Sequence, residues 1–266
     1  MDLQLQGKRA IVTGGSKGIG KAIARVLAQE GVDVVIAART KSTLGEAAAE
    51  LSSQTGKAVT AITVDTGNDA SVKAMVDAAV SRLGGIDILV NSAAKPAGQG
   101  RAPKLAEITD DAFYDDVNIK VMGYLRCARE VAPYLIENGW GRIINISGLG
   151  ARQPSSYIGS MRNVAVAAMT KSLAEELGSQ GINVTVVHPG LTRTEASATI
   201  FPAMAKARGV SVEDVERSLA AGNVSNRVVD ASEVADVVAF LASPRSVAIN
   251  GDAIAVGGGA RGSIHY

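Results

Sequence analysis

The chain has 266 residues, of which 47% are apolar and 20% charged; this excludes a disordered chain and leaves room for the core of one α/β domain. A formal net charge of +1 gives no basis for binding nucleic acid or an anionic membrane surface. The single cysteine, Cys127, excludes an internal disulfide, and neither an apolar signal core nor a run of membrane-spanning length is present, so a soluble cytoplasmic protein is expected.

In chain order, Lys8 to Val12 is a short apolar run that reads as a strand, and Ile19 to Glu30 has apolar residues at helical spacing. Between them lies Thr13-Gly-Gly-Ser-Lys-Gly-Ile-Gly20. Strand, glycine loop and helix form the setting of a dinucleotide-binding loop. Gly14 permits a tight turn, and Gly18 and Gly20 carry no side chain to block a pyrophosphate or the helix–strand contact. The free amides at the helix start face the negative charge.

Further strands are expected at 31–37, 58–64, 86–90, 142–146, 182–187 and 253–256. Helices are expected at 42–54 with Ser42 as N-cap, at 68–83, from Thr109 toward Glu137 with a possible kink at Pro133, at 160–178 and at 232–242. Ser92 to Lys104 reads as a loop, and 194–224 as a polar, partly helical stretch. Short β-branched runs alternating with helices predict an α/β fold. The expected architecture is a single doubly wound, Rossmann-type parallel sheet over 1–266, with about seven strands and helices on both faces. In such a sheet the ligand lies beyond the carboxyl ends of the strands, which selects the residues that follow.

Several of those positions together resemble the short-chain dehydrogenase/reductase family. Thr13 to Gly20 matches its T-G-x-x-x-G-x-G; Asn91-Ser-Ala-Ala94 is similar to its N-N-A-G; Gly141 to Ser147 is similar to its fifth strand and serine region; His188 to Thr194 matches its P-G-x-x-x-T. The resemblance covers essentially the whole chain and implies hydride transfer between a nicotinamide cofactor and a carbonyl or alcohol of a small molecule, in a homo-oligomer, usually a tetramer. It implies that Gly14, Ser16, Lys17, Gly18, Ile19 and Gly20 hold the pyrophosphate, that Asp65 and Thr66 touch the adenine, and that Asn91, Ala93 and Asn163 line the ribose. Pro189, Gly190, Thr192 and Thr194 would then hold the nicotinamide amide, Ser147 the substrate oxygen, and Asn118 would be the active-site Asn of the fourth helix. Residues 195–228 would form a substrate lid.

Cofactor choice rests on the end of the second strand. An acid there would accept the ribose 2′-hydroxyl of NAD(H), but the segment is Ala37-Ala-Arg-Thr40. Arg39 can pair with a 2′-phosphate through its planar fork, and Lys17 is a second cation in reach, so NADP(H) is favoured over NAD(H).

The family places Tyr-x-x-x-Lys on the helix after its serine, and that motif is not found here. Tyr157 is followed four residues later by Met161, and alignment from Thr170 to Leu177 puts Gly159 in the Tyr slot and Asn163 in the Lys slot. Three readings stay open: Tyr157 acts unassisted, Ser147, Ser160 or water moves the proton near Asn118, or the fold binds a nucleotide in a regulatory or scaffolding role without turnover. No His/Cys cluster exists, so no metal site is expected, and His188 reads as a packing residue. Asp110, Asp111, Asp115 and Asp116 read as a solvated helix start; Arg152 and Arg162 either pair on the surface or replace the missing charge.

Overall fold

A computed structural model describes residues 1–95 and 102–261. Part of the expected 92–104 loop and His265 lie outside the described residues.

Seven parallel strands form the central sheet: β1 (Arg9–Thr13), β2 (Asp33–Ala38), β3 (Val59–Thr63), β4 (Ile88–Asn91), β5 (Gly141–Ile146), β6 (Ile182–Pro189) and, skipping two short strands, β9 (Ala253–Val256). The order is β3-β2-β1-β4-β5-β6-β9. Both faces of the inner strands are apolar. Ala10, Val12, Val34 and Ile36 point into one core, Ile11, Val35 and Ala37 into the other. Period-two alternation with no polar face is what burial between two helical layers requires.

The first layer holds α1 (Gly18–Gln29), α2 (Lys41–Thr55) and α9 (Ala231–Ala242), packed through Ile23, Leu27, Leu44, Leu51, Val234 and Val238. The second holds α3 (Asp69–Leu83), α5 (Gly123–Glu137) and α6 (Tyr157–Leu177), with Met75, Val76, Val131, Leu135 and Leu177 in its core. Cys127 packs in this second core, and burial pushes its thiol up to about 12.

Two helix starts differ from the expectation. Ser42 is not the cap of α2, which begins at Lys41 after an uncapped Thr40. Helix α6 begins at Tyr157 because the Ser156 hydroxyl accepts the Gly159 N–H at 3.1 Å, which extends the helix three residues toward the site. The long helical region after Thr109 is α4 (Asp110–Val117), a π-helical turn at Asn118–Met122, and α5, which contains Pro133.

After β6 come β7 (Thr192–Arg193), α7 (Ser197–Arg208), α8 (Val212–Ala220) and β8 (Val229–Asp230). β7 pairs with β8, so the excursion leaves and rejoins the body at one place. Phe201, Ala205 and Val215 give it a small core of its own.

Candidate active site and cofactor cleft

The chain runs outward from β1 through β2 to β3, then restarts on the other side of β1 with β4. That reversal opens a crevice at the carboxyl ends of β1 and β4. The Thr13 hydroxyl spans it, accepting the Ser92 N–H at 3.1 Å and the Ala93 N–H at 3.3 Å. Gly14 has φ +69°, and a Cβ there would sit 2.8 Å from the Ser92 carbonyl. A Cβ on Gly20 would lie 2.4 Å from the Gly14 oxygen. Both positions therefore demand glycine to bring α1 against the two strands. Gly18 differs, since a Cβ there would meet only the Thr194 methyl, at 3.6 Å.

The loop already holds an anion. The Gly18 N–H donates to the Glu195 carboxylate at 2.9 Å, an oxygen that stands in for a phosphate oxygen at the start of α1. Lys21 lies 3.9 Å from the same carboxylate and 2.7 Å from Glu50. Ser16 and Ile19, both half-buried, complete the loop. Lys17 and Arg39 are exposed and form no ion pair among the described residues. Open space at Gly18, an amide that captures an oxyanion, and two unpaired cations beyond β1 and β2 fit a dinucleotide with a 2′-phosphate.

At the far side, the Asp65 carboxylate accepts the Gly67 N–H, and the Thr66 hydroxyl is turned inward to the Ile119 carbonyl at 3.1 Å. Asn118 follows it, donating to the Gly67 carbonyl at 3.2 Å. Asn91 is fully buried and donates to Asn145 at 3.0 Å, which in turn donates to Thr170 at 2.9 Å.

Ser147 follows directly on β5, and Asn163 lies on the facing side of α6. The Ser147 hydroxyl donates to the Asn163 carbonyl at 3.0 Å. Below them stands Lys120, which no sequence motif singles out. It is 3% exposed and donates to the Asn163 Oδ1 at 3.0 Å and to the Ser147 carbonyl at 3.1 Å. Burial drives its ammonium down to about 7, Arg162 pushes the same way, and Asp116 opposes. Asn118 is thus tied to the Gly67 loop, and Lys120 is the member of that helical turn against Ser147.

Arg162 is 5% exposed and grips both oxygens of Asp116 at 2.7 Å, so neither residue belongs to a solvated face. Asp115 pairs with Lys95, and Arg152 braces β9 through the Ala253 carbonyl. Tyr157 is half exposed, with no hydrogen bond among the described residues. The hydroxyls of Ser160 and Ser155 lie 3.0 Å apart. Beside Gly159 a cavity of about 260 Å³ is lined by Asp116, Arg162, Lys95, Ser156 and Ile158.

Beyond β6, the Gly190 N–H donates to the Val256 carbonyl at 3.0 Å, and the Thr192 hydroxyl returns to the Gly190 carbonyl at 3.0 Å. His188 is buried, and its Nδ1 accepts the Gly148 N–H at 3.4 Å. Among the described residues no cluster suits a metal ion, and no helix is long and apolar enough to cross a membrane.

A glycine loop seated at the switch point of a doubly wound parallel sheet makes this chain a Rossmann-type dinucleotide-binding protein. The family model described as Enoyl-(Acyl carrier protein) reductase matches residues 14–261. The chain is 32% identical over 262 residues to the 3-oxoacyl-(acyl-carrier-protein) reductase FabG of Vibrio cholerae, covering 97% of this chain and 98% of that one. It matches the structure of L-sorbose reductase from Gluconobacter frateurii complexed with NADPH and L-sorbose, with a TM-score of 0.92, 32% identity, and 99% and 100% of the two chains covered. Actinorhodin polyketide ketoreductase with NADPH gives a TM-score of 0.86 at 33% identity over 94% of this chain and 96% of that one. The chain belongs to the short-chain dehydrogenase/reductase family of oxidoreductases.

Proposed function

We propose that this protein is an NADP(H)-dependent oxidoreductase that moves hydride between the cofactor and the carbonyl or alcohol carbon of a small molecule. The observation that carries the reading is the Gly18 amide, which donates to a carboxylate oxygen, together with two exposed cations, Lys17 next to it in the loop and Arg39 past the end of β2. NADPH in the structures of L-sorbose reductase and actinorhodin polyketide ketoreductase supports the same choice of cofactor.

Gly14, Ser16, Gly18, Ile19 and Gly20 form the pyrophosphate cradle, Lys17 and Arg39 bind the 2′-phosphate, and Asp65 with Thr66 borders the adenine. Asn91 fixes the floor of the cleft from within, while Ala93 and Asn163 border the ribose. Pro189, Gly190, Thr192 and Thr194 shape the nicotinamide end. When bound, the cofactor supplies or accepts the hydride. Ser147 holds the substrate oxygen, and Asn118 fixes the helical turn beside it. The protein is an atypical member whose Tyr and Lys slots hold Gly159 and Asn163. In reduction the substrate oxygen gains a proton, and a hydroxyl is the donor assigned to that step: Tyr157 on the first turn of α6, or Ser147, Ser160 or water in its place.

Residues 195–228 close over the substrate as a lid within the single domain, hinged at β7 and β8. A cytoplasmic homotetramer acting on a small molecule is the form that the family resemblance supports. The test is NADPH consumption against a broad panel of ketones, aldehydes and keto sugars. Turnover with at least one member, lowered in Ser147→Ala, supports the reading. Tight NADPH binding with no turnover would instead favour a nucleotide-binding regulatory or scaffolding protein.

A further inference from the structure

Lys120 is the odd residue of the molecule. A lysine in the interior is costly, since removing an ammonium from water is repaid only by close partners. Other buried cations find stronger compensation: Arg162 grips the Asp116 carboxylate, and Arg142 stacks on the Trp140 ring at 4.6 Å. Lys120 donates to two uncharged oxygens only, those of Asn163 and Ser147. An ammonium has three donors, so one N–H has no acceptor among the described residues. A helix that needed only packing here would do better with Met or Leu. Methylenes and charge together stand where the end of β5 meets α6, behind the substrate-binding serine.

The second observation is the exchange of side chains across that contact. Helix α6 contributes an uncharged side chain there, Asn163, whose backbone carbonyl accepts the Ser147 hydroxyl and whose Oδ1 accepts from Lys120. The ammonium comes instead from the opposite side, from the π-helical turn after α4. The wide turn places Lys120 inward between the exposed Met122 and the Asn118 side chain bonded to Gly67. The charge the site needs is present, delivered from a different element.

We propose that Lys120 supplies the positive charge of the reaction centre: it positions Asn163 and Ser147 and stabilises the negative charge that develops on a substrate oxygen held by Ser147. This rests on the oxidoreductase reading above. Lys120 acts through Ser147 and Asn163 as a positioning and electrostatic residue, and the proton donor remains a hydroxyl. The groups facing it are Arg162 on α6, Asp116 on α4 and the Tyr124 phenol on α5, whose ring centre is 6.0 Å away. Arg162 and Asp116 compensate one another, and burial holds the phenol protonated, which leaves Lys120 as the group whose charge changes near neutrality.

The experiment compares wild type, Lys120→Met, Lys120→Arg and the exchange Lys120→Asn with Asn163→Lys. NADPH affinity is measured by fluorescence, and kcat and KM for a panel substrate across pH. Lys120→Met is expected to lower kcat by about 100-fold while changing NADPH affinity and KM by less than about threefold. The wild-type reduction rate falls as pH rises through neutrality and the ammonium is lost; Lys120→Arg moves that fall to higher pH. The exchange variant, which returns the charge to α6, recovers at least about tenfold over Lys120→Met. NMR of the Lys120 ε-carbon in the cofactor-free protein reads the same group without turnover, and titration at the ordinary lysine value overturns the inference. So does a Lys120→Met enzyme as fast as wild type with the same pH profile, while wild-type turnover leaves the functional reading intact. A wild type that binds NADPH but reduces nothing ends both.

Discussion

Lys120 and Asn163 meet across 3.0 Å behind Ser147, one reaching from the turn before α5 and the other from α6. The contact locks β5, α5 and α6 together where the chemistry is proposed to occur. It also puts an ionisable amine in a setting with no carboxylate bonded to it. A pH-dependent stability follows.

Folding lowers the Lys120 ammonium to about 7 by burial, against about 10.4 for a free lysine. Between those values the unfolded chain binds a proton that the native chain does not, so native stability rises with pH. Below about pH 7 both states are protonated and the full cost of burying the charge is present. Urea unfolding of wild type and Lys120→Met at about pH 7 and about pH 9 should differ in their change by about 2 kcal/mol, wild type gaining more. Parallel behaviour of the two proteins would contradict burial of a titrating amine.

Glu195 competes for the phosphate cradle. Its carboxylate accepts the Gly18 N–H, and its side chain is 57% exposed, so it can leave. Glu195→Gln removes a negative charge that must vacate the start of α1 before a pyrophosphate binds. NADPH should bind about two- to fivefold more tightly at low salt, with the gain fading as salt rises. Weaker binding in the variant would mean that Glu195 holds the bound state instead.

Arg39 sets cofactor preference. It stands exposed past the end of β2 with no ion pair among the described residues. Arg39→Asp removes a charge-assisted partner of the 2′-phosphate and places an acceptor where a ribose 2′-hydroxyl would lie. Calorimetry should show NADPH weakened by about tenfold or more and NADH unchanged or improved. Equal losses for the two would contradict the assignment.

Two glycines separate crowding from conformational freedom. Gly14→Ala drives a Cβ to 2.8 Å from Ser92 backbone at φ +69°, and should cost about 1–3 kcal/mol with loss of NADPH binding. Gly45 lies inside α2, where an added Cβ would meet nothing within 4 Å. Gly45→Ala should therefore add about 0.5–1 kcal/mol and leave binding unchanged, read by denaturant unfolding.

The inner strands are legible in the sequence because parallel strands buried on two faces are continuous apolar runs, and the half-buried edge strand β9 also matches its expected range to the residue. The glycine loop is equally clear, since its spacing follows from the contacts at Gly14 and Gly20. The start of α6 is not, because its cap depends on a single hydroxyl, Ser156, in a run of serines. Lys120 is hidden for a deeper reason. A lysine beside Ile119 and Val121 reads as a solvated residue on a regular helix, and the π-helical turn at Asn118–Met122 rotates the register. Periodicity of 3.6 residues then assigns the wrong face. The Asp116–Arg162 pair escapes for a similar reason, since a run of acids at a helix start ordinarily faces water.

Hydride transfer is tested most directly with NADPH deuterated at its transferable position, incubated with the substrate panel and followed by mass spectrometry of the products. Deuterium on the carbinol carbon of at least one product, with matching oxidation of the cofactor, is the predicted result. Intact, tightly bound NADPH and no deuterated product from any panel member would contradict it.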